Sequence, residues 1–247
     1  MMKIKKIQIG KIQIEYILQG KGIDLLFLHG GCGSFRTYEK FIYDLSKFYR
    51  IWAVSLPGAG KSSTLPRDWH FYDYSKVIYG FIRKNDIKPI IVGHSFGGAV
   101  SISAKAKYPE AFKNLVLLSA AGIKHKNPNR TIFKVMIYPF KILIPSIFDL
   151  QKRLLLKDVL VNLWCHPFDM LKIAGMFKRL DLKDTMKSIN EKVLLLWGRG
   201  DENVPISYIK VFKMYLKNTK VYMFRGDHGF LYTQADKIAS VLRKECK

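Results

Sequence analysis

The chain opens with apolar and polar residues in alternation, KIKKIQI and KIQIEYIL on either side of Gly10-Lys11. That period of two is the pattern of a half-buried antiparallel hairpin. The pattern then changes to short, nearly continuous apolar runs: IDLLFLHG, RIWAVSLPG, KPIIVGHS, NLVLLSAAG, KVLLLWGRGD and KVYMFRGDHG. Each run ends in glycine or polar residues, and runs that are apolar on both faces belong to strands buried inside a parallel sheet. Between most of them lie segments with helical spacing, over residues 37–48, 73–85, 96–108, 206–216 and 230–244. Strand and helix in alternation predict an α/β sheet covered on both faces, with ligands bound at the carboxyl ends of its strands.

One interval breaks this alternation. Residues 123–190 hold no strand-like run between turn signals; instead their apolar positions recur at helical spacing, interrupted by Pro139, Pro145 and Pro167. A structureless loop of that length is improbable in a compact domain, so the interval reads as a helical insertion. The chain then divides into a first core segment (1–122), the insertion (123–190) and a second core segment (191–247).

Composition narrows the picture further. At 247 residues and 49% hydrophobic the chain can bury a sizeable core. It contains no run of about 18 uncharged apolar residues and no signal-peptide pattern at its start, which predicts a cytoplasmic protein. Cys32, Cys165 and Cys246 are odd in number and lack C-x-x-C spacing, so they read as free thiols rather than a disulfide framework or zinc site. The net charge of +23 comes mostly from lysines spread evenly along the chain. Nucleic-acid binding calls for clustered basic residues, so the charge is read as compositional bias and no nucleic acid is expected as partner. The basic, apolar stretch from Thr131 to Leu150 has the make-up of a segment that could rest weakly on an anionic membrane surface, with Lys134 and Lys141 reaching the head groups.

The chemistry concentrates at the strand ends. Gly93-His94-Ser95-Phe96-Gly97 fits G-x-S-x-G between a predicted strand and a predicted helix, the setting in which a sharp turn exposes a serine nucleophile. A serine hydroxyl needs a histidine base and a carboxylate to orient that base. His228, in RGDHGF after the last predicted strand, fits the first role. Asp201, in WGRGDENVP after the preceding strand, fits the second, with Asp227 and Glu202 as weaker rivals. His70, His125 and His166 fall in loops or in the insertion, where packing or solvation explains them. The amide of Phe96 is one candidate oxyanion donor; the turn in FLHGGCGS supplies another, Gly31, with Cys32 as alternative. His94 lies in the elbow and packs against the sheet; with Cys32 it is counted among the candidate substrate contacts. LPGAGKSS has Ser55 where a phosphate loop needs glycine, and no G-x-G-x-x-G occurs, which argues against nucleotide binding.

HGGCGS, SLPGAGKSS, GHSFGG, WGRGDENVP and GDHGF, in this order and spacing, resemble the α/β-hydrolase superfamily from about residue 12 onward. The resemblance implies a mostly parallel eight-stranded sheet with a helical cap inserted after the sixth strand, where the anomalous interval falls. It also implies Ser95 as nucleophile, Asp201 as acid, His228 as base, and Gly31 with Phe96 as oxyanion donors. Ser55 departs from the family, many of whose members have Asp there, and Arg225 and Asp227 flank the histidine motif unusually. A serine at the elbow separates the chain from the dehalogenase branch.

These readings converge on a cofactor-free serine hydrolase of the carboxylesterase kind acting on a small apolar substrate. Phe133, Met136, Tyr138, Phe140, Trp164 and Phe168 are the candidate pocket residues of the cap. A carbon–carbon bond hydrolase, an aminopeptidase or a lipase-like enzyme of the same fold remain as alternatives, as does a non-catalytic module that binds a small ligand.

Overall fold

The computed structural model describes residues 3–124 and 150–246. The expected hairpin forms from β1 (Ile4–Ile9) and β2 (Ile12–Gln19), which pair antiparallel with Ile9 opposite Ile12. The apolar runs become β3 (Asp24–Leu28), β4 (Arg50–Val54), β5 (Ile90–His94), β6 (Leu115–Leu118), β7 (Val193–Gly198) and β8 (Thr219–Phe224). Together they make one eight-stranded sheet in the order β1-β2-β4-β3-β5-β6-β7-β8. β2 pairs antiparallel with β4, and every pair from β4 onward is parallel.

Strands β3 to β7 are buried on both faces of the sheet, which is why their runs lack alternation. Leu26, Leu28, Ile91, Leu195 and Trp197 pack on one face with α2 (Asp73–Asn85) and α3 (Phe96–Lys107). Leu25, Phe27, Ile90, Val92, Leu194 and Leu196 pack on the other with α1 (Glu39–Ser46) and the C-terminal helix. Successive residues of a strand point to opposite faces, so a strand buried on both must be apolar throughout.

The described part of the anomalous interval is helical: α4 (Leu150–Cys165), α5 (Pro167–Arg179) and the short α6 (Lys183–Lys187). Pro167 opens α5, where its missing N–H has no helical partner to lose. Pro139 and Pro145 lie outside the described residues. The remaining helices are α7 (Ser207–Tyr215) and α8 (Ala235–Glu245).

Two expected helices are shorter than their apolar spacing suggests. Residues Phe35–Tyr38 form a 3-10 turn ahead of α1, and Phe230–Tyr232 form another ahead of α8. In the second, Tyr232 N–H bonds to Gly229 and Thr233 N–H to Phe230, and Gln234 leaves helical dihedrals before α8 begins. Three-residue bonds of this kind tighten a chain that must turn out of a strand-end loop into a helix.

Candidate active site

The chain reverses between β3, β4 and β5: β3 lies between the other two, so the loops after β3 and β5 face each other across the crevice where such sheets bind ligands. Ser95 follows β5 directly. Its φ of 51° and ψ of −116° are outside both helical and strand regions, a conformation that persists only when its surroundings hold it. They do: Ser95 N–H donates to the Leu118 carbonyl, and the Ser95 carbonyl accepts from Gly98, Ala99 and Ala121. The small residues of the motif follow from contact. A Cβ on Gly97 would run into the carbonyl oxygens of Leu28 and His29, and one on Gly98 into Ala120. Phe96, first residue of α3, has no carbonyl one turn back within the helix for its N–H to reach.

The turn after β3 is held by its own histidine. His29 is buried and its pKa is driven down by desolvation, so the ring is neutral. Leu56 N–H donates to its Nε2 at 2.9 Å, which leaves the hydrogen on Nδ1 to donate to the Gly30 carbonyl at 2.7 Å. In a trans peptide C=O and N–H point opposite ways, so fixing the Gly30 carbonyl fixes the Gly31 N–H as well. The Cα of Gly31 sits so that a Cβ there would lie 3.7 Å from that of Phe96, which sets the two residues side by side. Cys32, beside them, takes φ 66° and is half-buried, and burial pushes its thiol up to about 11.

The expected acid and base also meet. His228 Nδ1 lies 2.8 Å from Asp201 Oδ2. Asp201 is 4% exposed, and its other oxygen accepts from Asn203 N–H at 2.9 Å and Val204 N–H at 2.8 Å. Burial alone would raise this carboxyl, but the His228 hydrogen bond and charge together with the Val204 amide outweigh it, so the pKa falls. A carboxylate only accepts, so His228 Nδ1 carries a hydrogen, and in the neutral ring the lone pair is on Nε2. The loops that carry the pair are stitched together: Arg199 N–H bonds to Phe224 and Gly200 N–H to Gly226. The rival Asp227 accepts from Gly229 N–H, while Glu202 is exposed.

His94 corrects the expectation of a substrate contact. It is 4% exposed, and both ring nitrogens are occupied, Nδ1 by the Tyr38 hydroxyl at 2.8 Å and Nε2 by the His228 carbonyl at 3.0 Å. The Trp164 side chain is 88% exposed near the end of α4. Phe168, at 81%, is similar. Phe133, Met136, Tyr138, Phe140 and His125 lie outside the described residues. His70 is exposed; His166 is buried and bonded to the Gly60 carbonyl and to Asp169.

The sequence reading missed the polar face of α4. Asp158 Oδ2 accepts from the amides and hydroxyls of both Ser34 and Thr37. One turn on, Asn162 donates to the carbonyls of Cys32 and Gly33 and accepts from Gly60 N–H. Both residues are buried, and they bolt the helix onto the turn that carries Gly31. The signal was present: Asp158, Asn162 and His166 recur every four residues, the first two on one face of α4 and the third just past its end.

Comparison with known proteins agrees with this architecture. A family model described as the alpha/beta hydrolase fold matches residues 25–139. The uncharacterized hydrolase YugF of Bacillus subtilis is 29% identical over 84% of this chain and 83% of its own length. The pimeloyl-[acyl-carrier protein] methyl ester esterase of Wigglesworthia glossinidia brevipalpis is 25% identical over 80% and 82%. Among solved structures, the esterase of Exiguobacterium antarcticum superposes with a TM-score of 0.82, covering 97% of each chain at 18% identity. The motifs, the strand order and these matches together point to the α/β-hydrolase superfamily.

Proposed function

We propose that this chain is a serine hydrolase that cleaves a carboxylic ester of a small apolar substrate through an acyl-enzyme on Ser95. The observation that carries the reading is the Asp201–His228 hydrogen bond, which leaves Nε2 as a base on the loop beside the elbow. In this reading Ser95 Oγ attacks the ester carbonyl carbon while its proton passes to His228 Nε2. The oxyanion of the tetrahedral intermediate accepts from the Gly31 and Phe96 amides, fixed in advance by the His29 bond and the start of α3. Collapse breaks the C–O bond, and His228 returns its proton to the departing alcohol. A water, deprotonated by the same nitrogen, then hydrolyses the acyl-enzyme and restores Ser95.

Residues 123–190 serve as the cap in this account, with α4 clamped to the core by Asp158 and Asn162. The esterase activity of the Wigglesworthia relative supports ester cleavage. Among the described residues no helix is long and apolar enough to cross a membrane.

A panel of p-nitrophenyl esters of increasing acyl length tests the proposal. Turnover that rises with chain length and vanishes in Ser95→Ala is the expected result. Turnover retained in that variant, or absent for every ester, overturns it.

A further inference from the structure

We infer that Tyr38 and His94 form a positioning relay that fixes the backbone at His228, and through it the aim of the imidazole. The inference rests on the reading of His228 as the base. The geometry is a continuous hydrogen-bonded chain across three elements. Gly30 N–H lies 3.1 Å from the Tyr38 hydroxyl, that hydroxyl lies 2.8 Å from His94 Nδ1, and His94 Nε2 lies 3.0 Å from the His228 carbonyl.

Chemistry allows one arrangement of protons along this chain. The His228 carbonyl can only accept, so His94 Nε2 must carry a hydrogen. Desolvation, with the neighbouring His228 ring, pushes the His94 pKa down to about 3, so the ring is neutral and holds that one hydrogen only. Nδ1 is then a lone pair, and the Tyr38 hydroxyl donates to it. The tyrosine oxygen is left to accept from Gly30 N–H, whose own carbonyl is held by His29. Each donor along the chain has an acceptor, the condition under which a buried polar network rigidifies its surroundings. Ring contacts run the same way: Tyr38 and His94 meet edge to face at 5.6 Å, and the His94 and His228 rings lie 4.6 Å apart.

The relay joins the two halves of the proposed site. It begins one residue before Gly31, passes through the residue before Ser95, and ends on the main chain of His228. A side chain that merely filled this space would need no polar atoms, and burying them unpaired would be costly. Tyr38 thus acts through His94, and neither touches the substrate.

Tyr38→Phe, His94→Ala and His94→Gln, with the double variant Tyr38→Phe/His94→Ala, test the inference. Glutamine matters because its Nε2 stands as far from Cβ as that of histidine and can still donate to the His228 carbonyl. In ester turnover normalised to titrated active sites, His94→Ala should lower kcat by about 10- to 100-fold, the effect of a small misplacement of a catalytic group, with KM within about twofold. His94→Gln should recover most of that loss, and the double variant should be no slower than His94→Ala alone. Nitrogen-15 spectra of the imidazoles give a readout that needs no turnover. The His228 Nδ1–H signal should shift or broaden in Tyr38→Phe and His94→Ala and return toward wild type in His94→Gln. If that signal stays put in every variant, or if the kcat effects of Tyr38 and His94 simply multiply, the relay is refuted even where ester hydrolysis stands. If the signal responds but no ester is turned over, the relay holds and the reading of Ser95 as nucleophile fails.

Discussion

His228 Nδ1 donates to Asp201 Oδ2 across 2.8 Å, and this single bond decides which nitrogen of the ring can take a proton. Asparagine at position 201 keeps the shape of the side chain and its acceptor for the Asn203 and Val204 amides. Its amide hydrogens would face Nδ1, however, and drive the imidazole into the tautomer that cannot deprotonate Ser95. Asp201→Asn should therefore lose about a thousandfold or more in kcat with little change in KM. Steady-state kinetics on any turned-over ester checks this, together with a melting curve close to that of wild type.

The elbow makes a prediction about space. A Cβ on Gly98 would run into Ala120, and its α-carbon leaves no room to retreat at 3.0 Å. Gly98→Ala should destabilise the fold by about 3 kcal/mol, at the upper end of overpacking. Ala120→Gly in the same chain should restore part of that loss, which thermal melting of the two single variants and the double variant would reveal.

How far the sequence carried these conclusions depends on how local the physics is. Doubly apolar runs ending in glycine identify buried parallel strands without any knowledge of neighbours, and the sheet has a strand at each of them. The G-x-S-x-G turn, Asp201 and His228 were legible for the same reason: each stands at the end of a strand. For His94 the sequence offers both packing against the sheet and substrate contact, and only the fold shows that Tyr38 and the His228 carbonyl occupy both its nitrogens. Tyr38 is 56 residues away from His94, and Asp158 is 124 from Ser34. Partnerships at such separations leave little trace in one sequence. Trp164 shows another limit of local pattern: aromatic character suggests burial, yet the side chain is 88% exposed, because which face of a helix is covered depends on what packs against it.

Asp158 links α4 to the turn that carries Gly31 through bonds from Ser34 and Thr37. Alanine there would strand four buried donors. The cost should be about 3 kcal/mol, or roughly 10 °C in melting temperature for a chain of this size. Because the same turn holds a proposed oxyanion donor, kcat should fall alongside. Differential scanning calorimetry and ester kinetics on Asp158→Ala read the two effects separately.

Glu245 gives the fold a pH dependence away from the site. Bonds from Lys220 at 2.7 Å, Tyr222 at 2.8 Å and Lys192 at 3.2 Å pull its carboxyl down to about 2, from an ordinary value of 4.5. A depressed carboxyl stabilises the fold above its unfolded pKa, and that contribution is lost as the pH falls toward the folded one. Glu245→Gln should melt below wild type at pH 7, and the difference should narrow between about pH 4.5 and about pH 2. Melting temperatures measured across that window decide it.

The most direct test of the central claim is covalent labelling with a fluorophosphonate, followed by mass spectrometry of the intact chain and its peptides. The account predicts one adduct per chain, on Ser95, with none on Ser95→Ala and labelling of His228→Ala slowed by about a hundredfold or more. An adduct on another residue, or labelling of His228→Ala at the wild-type rate, would contradict it, because Ser95 would then not be a nucleophile activated by that histidine.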